Sequence, residues 1–206
     1  MSVVIVDYGM SNLNSIQRAL EECGAQNPIA IDNPRELRTA DRIVLPGVGA
    51  FGDGIEHLRV QGWIEVIREE VLENKIPLLG ICLGMQLLAS KGFESGQHDG
   101  LDLIPGNVKK LEPIGENEKI PHVGWNEVHY NRDNHLFNGI PDGRDFYFVH
   151  SYHPEPEDES IVAGQTHYGR TFSSAVWKDR VFATQFHPEK SQVLGLQLLK
   201  NFVDLV

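Results

Sequence analysis

A length of 206 residues fits one large α/β domain or two small ones, and such a chain can bury roughly 70% of its unfolded surface and needs no staples to fold. Its composition, 41% hydrophobic and 23% charged, is that of an ordinary globular protein, and a net charge of −11 with no basic cluster beyond Lys109–Lys110 argues against a nucleic-acid-binding surface. The two cysteines, Cys23 and Cys82, form neither a metal-type pair nor a disulfide framework. No basic leader or bilayer-length apolar run is present, so a cytosolic protein with reduced thiols is expected.

The β-branched run Val3–Val6 reads as a strand ending in the turn Asp7-Tyr8-Gly9. Ser11 or Asn12 can cap a helix to about Cys23, with Leu13, Ile16, Ala19 and Leu20 on one face and Gly24 as its stop. A strand over Pro28–Ile31, a short helix over Pro34–Ala40 and a strand over Arg42–Leu45 follow. A long amphipathic helix then covers Phe51–Asn74 with an interruption near Gly62. Pro77–Ile81 reads as a strand and Leu83–Lys91 as a helix. This alternation predicts a mostly parallel sheet covered by helices on both faces. The second half reads as shorter strands at 107–111, 125–130, 145–152, 161–168, 174–177 and 181–185, an added antiparallel sheet, closed by an amphipathic helix over 192–206. Without repeats, low-complexity tracts or a linker, residues 1–206 are expected to form one domain.

The most informative stretch runs from Pro77 to Leu88. A buried strand passes through Cys82 directly into a helix, with Gly80 and Gly84 two residues either side. This G-x-C-x-G pattern is the thiol form of a nucleophile elbow. The strained turn pushes the sulfur out of the sheet, and the flanking glycines remove side chains that would collide there. A helix N-terminus beneath the sulfur favours thiolate, and the amide of Leu83 is placed to donate to an oxyanion. The competing reading, a buried structural cysteine, suits Cys23, which lies near a helix end without such framing.

A thiolate nucleophile needs an imidazole to carry the proton and a third group to hold that imidazole. Of nine histidines, His187 stands at the end of the strand-like run Val181–Phe186, with Glu189 two residues on and Pro188 stiffening the backbone between them. His150 and His167 also fall at strand ends or in loops but lack a carboxylate so placed, whereas His153, followed by Pro154 and Glu155, repeats the pattern. At a third strand end, Pro46-Gly47-Val48-Gly49 lets the backbone approach a substrate and its peptide groups reorient.

P-G-x-G at 46–49, G-x-C-x-G at 80–84 and H-P-E at 187–189, in that order, resemble the class I (triad) glutamine amidotransferases across nearly the whole chain. The segments 3–13, 121–126, 147–152 and 185–191 look like those of the glutaminase subunits of imidazole glycerol phosphate synthases. The resemblance implies a flavodoxin-like α/β fold with an added antiparallel sheet. It implies Cys82 as nucleophile, His187 as proton carrier and Glu189 as its orienter, with oxyanion donors from Leu83 and the Gly47-Val48-Gly49 segment. Gln86, Glu94, Ser151 and Tyr152 would bind the amino and carboxylate groups of glutamine. Trp125, Tyr147 and Lys190 would lie on the face that docks a (β/α)₈-barrel cyclase subunit, which receives the ammonia, although composition by itself favours a core position for Trp125. No metal or organic cofactor is implied. The alternatives are a glutaminase serving anthranilate, aminodeoxychorismate or pyridoxal phosphate synthesis, a stand-alone thiol hydrolase of similar fold, or a non-catalytic flavodoxin-like module, which leaves the Cys82–His187–Glu189 pattern unexplained.

Overall fold

The structure, a computed structural model, describes residues 2–112, 119–130 and 134–205. In chain order its elements are β1 (Val3–Val6), α1 (Leu13–Glu22), β2 (Ile29–Ile31), β3 (Arg42–Gly47), α2 (Phe51–Val60), α3 (Trp63–Leu72), β4 (Leu78–Cys82), α4 (Leu83–Leu87), β5 (Ala89–Gly92), β6 (His98–Asp99) and β7 (Ile104–Lys110). There follow β8 (His122–Val128), β9 (Arg144–His150), β10 (Tyr152–Pro156), β11 (Val162–Tyr168), β12 (Arg170–Lys178), β13 (Val181–Thr184) and α5 (Gln192–Val203). Among the described residues no helix is long and apolar enough to cross a membrane.

The main sheet has the order β11-β12-β13-β4-β3-β1-β2. From β2 to β13 the neighbours are parallel, and β12 and β11 extend the edge antiparallel. The parallel part is the 2-1-3-4-5 order of flavodoxin-like folds, which bind ligands at the carboxyl ends of their strands. β1, β3, β4 and β13 are buried along their whole length, as near-continuous apolar runs require when helices cover both faces. One core cluster gathers Leu58, Trp63, Ile67 and Leu87, the other Ile16, Leu20, Leu198 and Phe202. A second sheet, β10-β7-β5-β6, and a ribbon of β8 and β9 carry the rest. The second sheet is mixed rather than purely antiparallel, because β5 and β7 run parallel.

Several boundaries differ from the sequence expectation. The helix expected over Leu83–Lys91 ends at Leu87, and the chain continues as β5. The carbonyls of Leu87 and Leu88, which would accept the next helical bonds, are taken by the amides of Leu101, Leu103 and Ile104. The strand expected over 145–152 breaks at Ser151, so that β9 pairs with β8 while β10 pairs with β7. β8 starts at His122 instead of Trp125, and β12 extends well beyond 174–177. The segment over Pro34–Thr39 is a 3-10 helix. The interruption near Gly62 is present: this residue separates α2 from α3 at φ 80°. Asn12 occupies the N-cap position of α1 without a capping side-chain bond.

Candidate active site

Three adjacent strands deliver the three motifs to one edge. Gly47 of β3 is in register with Cys82 of β4, and on the other side Thr184 of β13 is in register with Ile81. Pro46–Gly49, Cys82 and His187 therefore leave the sheet side by side at its carboxyl ends.

Cys82 occupies the elbow that the glycine pattern implies. Its φ of 54° and ψ of −110° lie where a non-glycine residue is strained, and the chain passes straight from β4 into α4. The close fit of α4 against β3 explains Gly84: a Cβ there would stand 1.8 Å from the carbonyl oxygen of Leu45. Around the sulfur, Nε2 of Gln185 lies at 3.8 Å and the carbonyl of Val149 at 3.9 Å.

His187 follows β13, and a 3-10 turn over Pro188–Lys190 brings Glu189 back beside it. Nδ1 of the imidazole is 2.7 Å from Oε1 of Glu189, and the two side chains are only 3% and 2% exposed. The backbone is pinned as well. The His187 amide donates to Tyr147 O at 2.9 Å, and the Ser191 hydroxyl donates to His187 O at 2.6 Å. Nε2 is enclosed and, among the described residues, has no hydrogen-bond partner. Burial pulls this imidazole down; the Cys82 sulfur and the Glu189 carboxylate push it up and prevail, leaving it at about 9. A carboxylate on Nδ1 fixes the proton there, so Nε2 is the nitrogen free to exchange protons in the cavity.

Cys82 and His187 open on a cavity of about 300 Å³ that Val48, Gly49, Leu83, Gln86, Glu94, Ser151 and Tyr152 also line. All four residues expected to hold substrate thus line the same cavity as Cys82. Glu94 is held by the Phe51 amide, which donates to its Oε2 at 2.8 Å. Gly47 does not reach the cavity; it packs against Tyr8 and Leu83. The Val48 amide donates to Met10 O at 2.9 Å and is engaged there rather than in the cavity.

His150 also lines the cavity, yet it is bound to Tyr152 O at 2.9 Å and to His122 at 3.0 Å, and burial pushes it down to about 3. Both its ring nitrogens are thus engaged, which leaves His187 as the imidazole placed to exchange a proton with the cavity. Sequence reasoning missed Gln185, which is fully buried beside the sulfur; its signal was an amide in the strand-like run Val181–Phe186. Trp125, Tyr147 and Lys190 come together on the surface of the β8–β9 ribbon. The two rings meet edge to face at 6.0 Å, and Nζ of Lys190 lies 5.8 Å from the Tyr147 ring centre. Trp125 is 48% exposed, which rules out a core role for it in this chain.

The arrangement is that of a thiol nucleophile with a carboxylate-held imidazole, fit for acyl transfer from an amide. Comparison with known proteins agrees. The family model "Glutamine amidotransferase class-I" matches residues 4–205. The imidazole glycerol phosphate synthase subunit HisH of Syntrophotalea carbinolica is 49% identical, over 98% of this chain and 100% of that protein. Its namesake from Moorella thermoacetica is 51% identical, over 99% and 95%. Among solved structures, a glutamine amidotransferase from Thermotoga maritima superposes with a TM-score of 0.63 at 21% identity, covering 92% of this chain and 76% of that one, a likeness of fold.

Proposed function

This chain belongs to the class I glutamine amidotransferases, and from that premise we propose that it is the glutaminase subunit of an imidazole glycerol phosphate synthase, acting as a single domain. The observation that carries the reading is the convergence of Cys82, His187 and the expected substrate residues on one cavity at the carboxyl ends of β3, β4 and β13. Near-full-length identity to subunits named HisH selects this synthase over amidotransferases serving other pathways.

In the proposed reaction the Cys82 thiolate attacks the carboxamide carbon of glutamine. Its carbonyl electrons move onto oxygen, where the Leu83 amide and, once reoriented, the Val48 amide stabilise the charge. His187 gives its Nε2 proton to the nitrogen as the carbon–nitrogen bond breaks, releasing ammonia and leaving a γ-glutamyl thioester. Water then attacks the thioester while His187 takes its proton, and glutamate leaves with the thiolate restored. Glu189 holds the imidazole throughout. Glu94 and the carbonyl oxygen of Gln86 suit the substrate ammonium, and Ser151 with the Tyr152 backbone suits its carboxylate. Ammonia passes to a (β/α)₈-barrel cyclase subunit docked over Trp125, Tyr147 and Lys190. No metal or organic cofactor takes part in the glutaminase step.

The test is synthesis in the reconstituted complex with glutamine or with an ammonium salt as nitrogen source. Cys82→Ala is expected to lose glutamine-dependent synthesis and keep ammonium-dependent synthesis. Glutamine hydrolysis surviving in Cys82→Ala would overturn the reading.

A further inference from the structure

Polar groups in the cavity wall form a chain whose direction follows from the chemistry of its end. The main-chain oxygen of Tyr152 can only accept, so the Gln86 atom 3.0 Å from it is Nε2. The same nitrogen lies 3.1 Å from the Gln185 side chain, whose facing atom must then be Oε1. That leaves Nε2 of Gln185 as the atom 3.8 Å from the Cys82 sulfur, with an N–H aimed at it. Both hydrogens of the Gln86 amide are thereby committed. Its Oε1, without a partner among the described residues, is the atom that Gln86 can offer to the cavity it lines. The anchor of the chain is itself held, because His150 Nδ1 donates to Tyr152 O at 2.9 Å while His122 Nδ1 donates to His150 Nε2 at 3.0 Å.

Gln185 is fully buried directly after β13. A methionine would fill that space without the cost of burying a carboxamide, so packing alone does not account for the residue. We propose that Gln185 sets the nucleophile and the substrate reader with one carboxamide: its N–H stabilises the Cys82 thiolate, and its oxygen holds Gln86 so that an acceptor faces the α-ammonium group of glutamine. Gln185 is thus catalytic towards Cys82 and positioning towards Gln86. The inference rests on the glutaminase reading for its substrate, and on geometry alone for its contact with the sulfur.

Gln185→Glu and Gln185→Met separate the two roles. Each is compared with wild type for glutamine hydrolysis in complex with the cyclase, and for the pH dependence of Cys82 alkylation by iodoacetamide, read on the Cys82 peptide by mass spectrometry. The other titratable groups near the sulfur, His187, Glu94, His150 and Tyr8, are the same in all three proteins. In Gln185→Glu the new carboxylate still accepts from Gln86 but competes with Cys82 for ionisation. Gln185→Glu is expected to keep KM within about threefold, lower kcat by about tenfold or more and move the alkylation midpoint to higher pH. Gln185→Met frees Gln86 and is expected to raise KM about tenfold or more. The proposal is overturned if wild type hydrolyses glutamine and Gln185→Glu leaves both kcat and the alkylation profile unmoved, or a folded Gln185→Met leaves KM unmoved. If Gln185→Met fails to fold, Gln185→Glu decides by kcat and alkylation. If the wild-type complex does not hydrolyse glutamine, the glutaminase reading fails instead, and the alkylation profiles still judge the contact with Cys82.

Discussion

Nδ1 of His187 and Oε1 of Glu189 are 2.7 Å apart, both side chains almost fully enclosed, on a turn pinned by Ser191 and Tyr147. In the proposed reaction the imidazole moves the proton, whereas the carboxylate only fixes its tautomer and supports its charge. Loss of the first is therefore expected to cost more. His187→Ala should lower kcat of the complex by about 10⁴-fold or more, and Glu189→Ala by one to two orders of magnitude less. Steady-state glutamine hydrolysis measures both, and near-normal turnover in His187→Ala would move the proton carrier elsewhere.

The surface of the β8–β9 ribbon carries a second expectation. Trp125 and Val123 share one exposed face, and Tyr147 and Lys190 border Trp125. A half-exposed tryptophan supports its own fold little but can anchor a partner. Trp125→Ala should leave the circular dichroism of the isolated chain unchanged and weaken binding of the cyclase by about 2 kcal/mol or more. Unfolding of the variant, or unchanged affinity by calorimetry, would remove the residue from the docking face.

The parallel core was legible because β1, β3, β4 and β13 are apolar runs closed by turn signals, and the elbow because Gly80 and Gly84 answer a local steric demand. The end of α4 was not, since it depends on Leu101, Leu103 and Ile104 capturing the carbonyls of Leu87 and Leu88. The break at Ser151 likewise reflects two different partners for the strands either side. The proposed triad could be placed from three motifs in fixed order, and the four cavity residues proposed to hold substrate from the family resemblance. Gln185 and the His122–His150 pair could not, because a buried polar group shows its purpose only through partners far away in the chain.

That histidine pair makes acid stability predictable. Burial pushes His122 down to about 4 and His150 to about 3. Unfolded histidine binds its proton near pH 6.5. Below about 6.5 the unfolded chain therefore takes up protons that the folded pair refuses. The stability that the neutral pair contributes is complete above that pH and falls as pH drops toward the folded values, by at most roughly 1.4 kcal/mol per pH unit for each ring. Urea unfolding midpoints should decline as pH falls between about 6.5 and 4, and decline separately as pH rises from about 6.5 toward 9, where folded His187 keeps a proton that the unfolded chain gives up. His122→Gln should make the acid-side decline shallower; an unchanged slope there would mean that other groups cause it.

The amide of Val48 donates to the carbonyl of Met10 at 2.9 Å, and a hydrogen committed there cannot also stabilise charge on a substrate oxygen. One of two expected oxyanion donors is then missing in the chain alone, and removing one such donor costs roughly 100- to 1000-fold in kcat. Recruiting it requires the Gly47–Val48 peptide to turn, which breaks the bond to Met10. A docked cyclase, and then its nucleotide, can drive that turn only by favouring the turned state, and a 100-fold activation needs about 2.7 kcal/mol of such preference. Gly49 is the pivot. Its φ is +110°, which disfavours any side chain, and a Cβ there would lie 2.7 Å from Cε of Met10. Glutaminase rates are thus expected to rise stepwise from the chain alone, to the complex, to the complex with cyclase nucleotide. Gly49→Val should blunt that rise more than it raises KM for glutamine. Equal rates in all three states of the wild-type protein would mean that the Met10 bond gates nothing, and would favour a hydrolase that works without a partner.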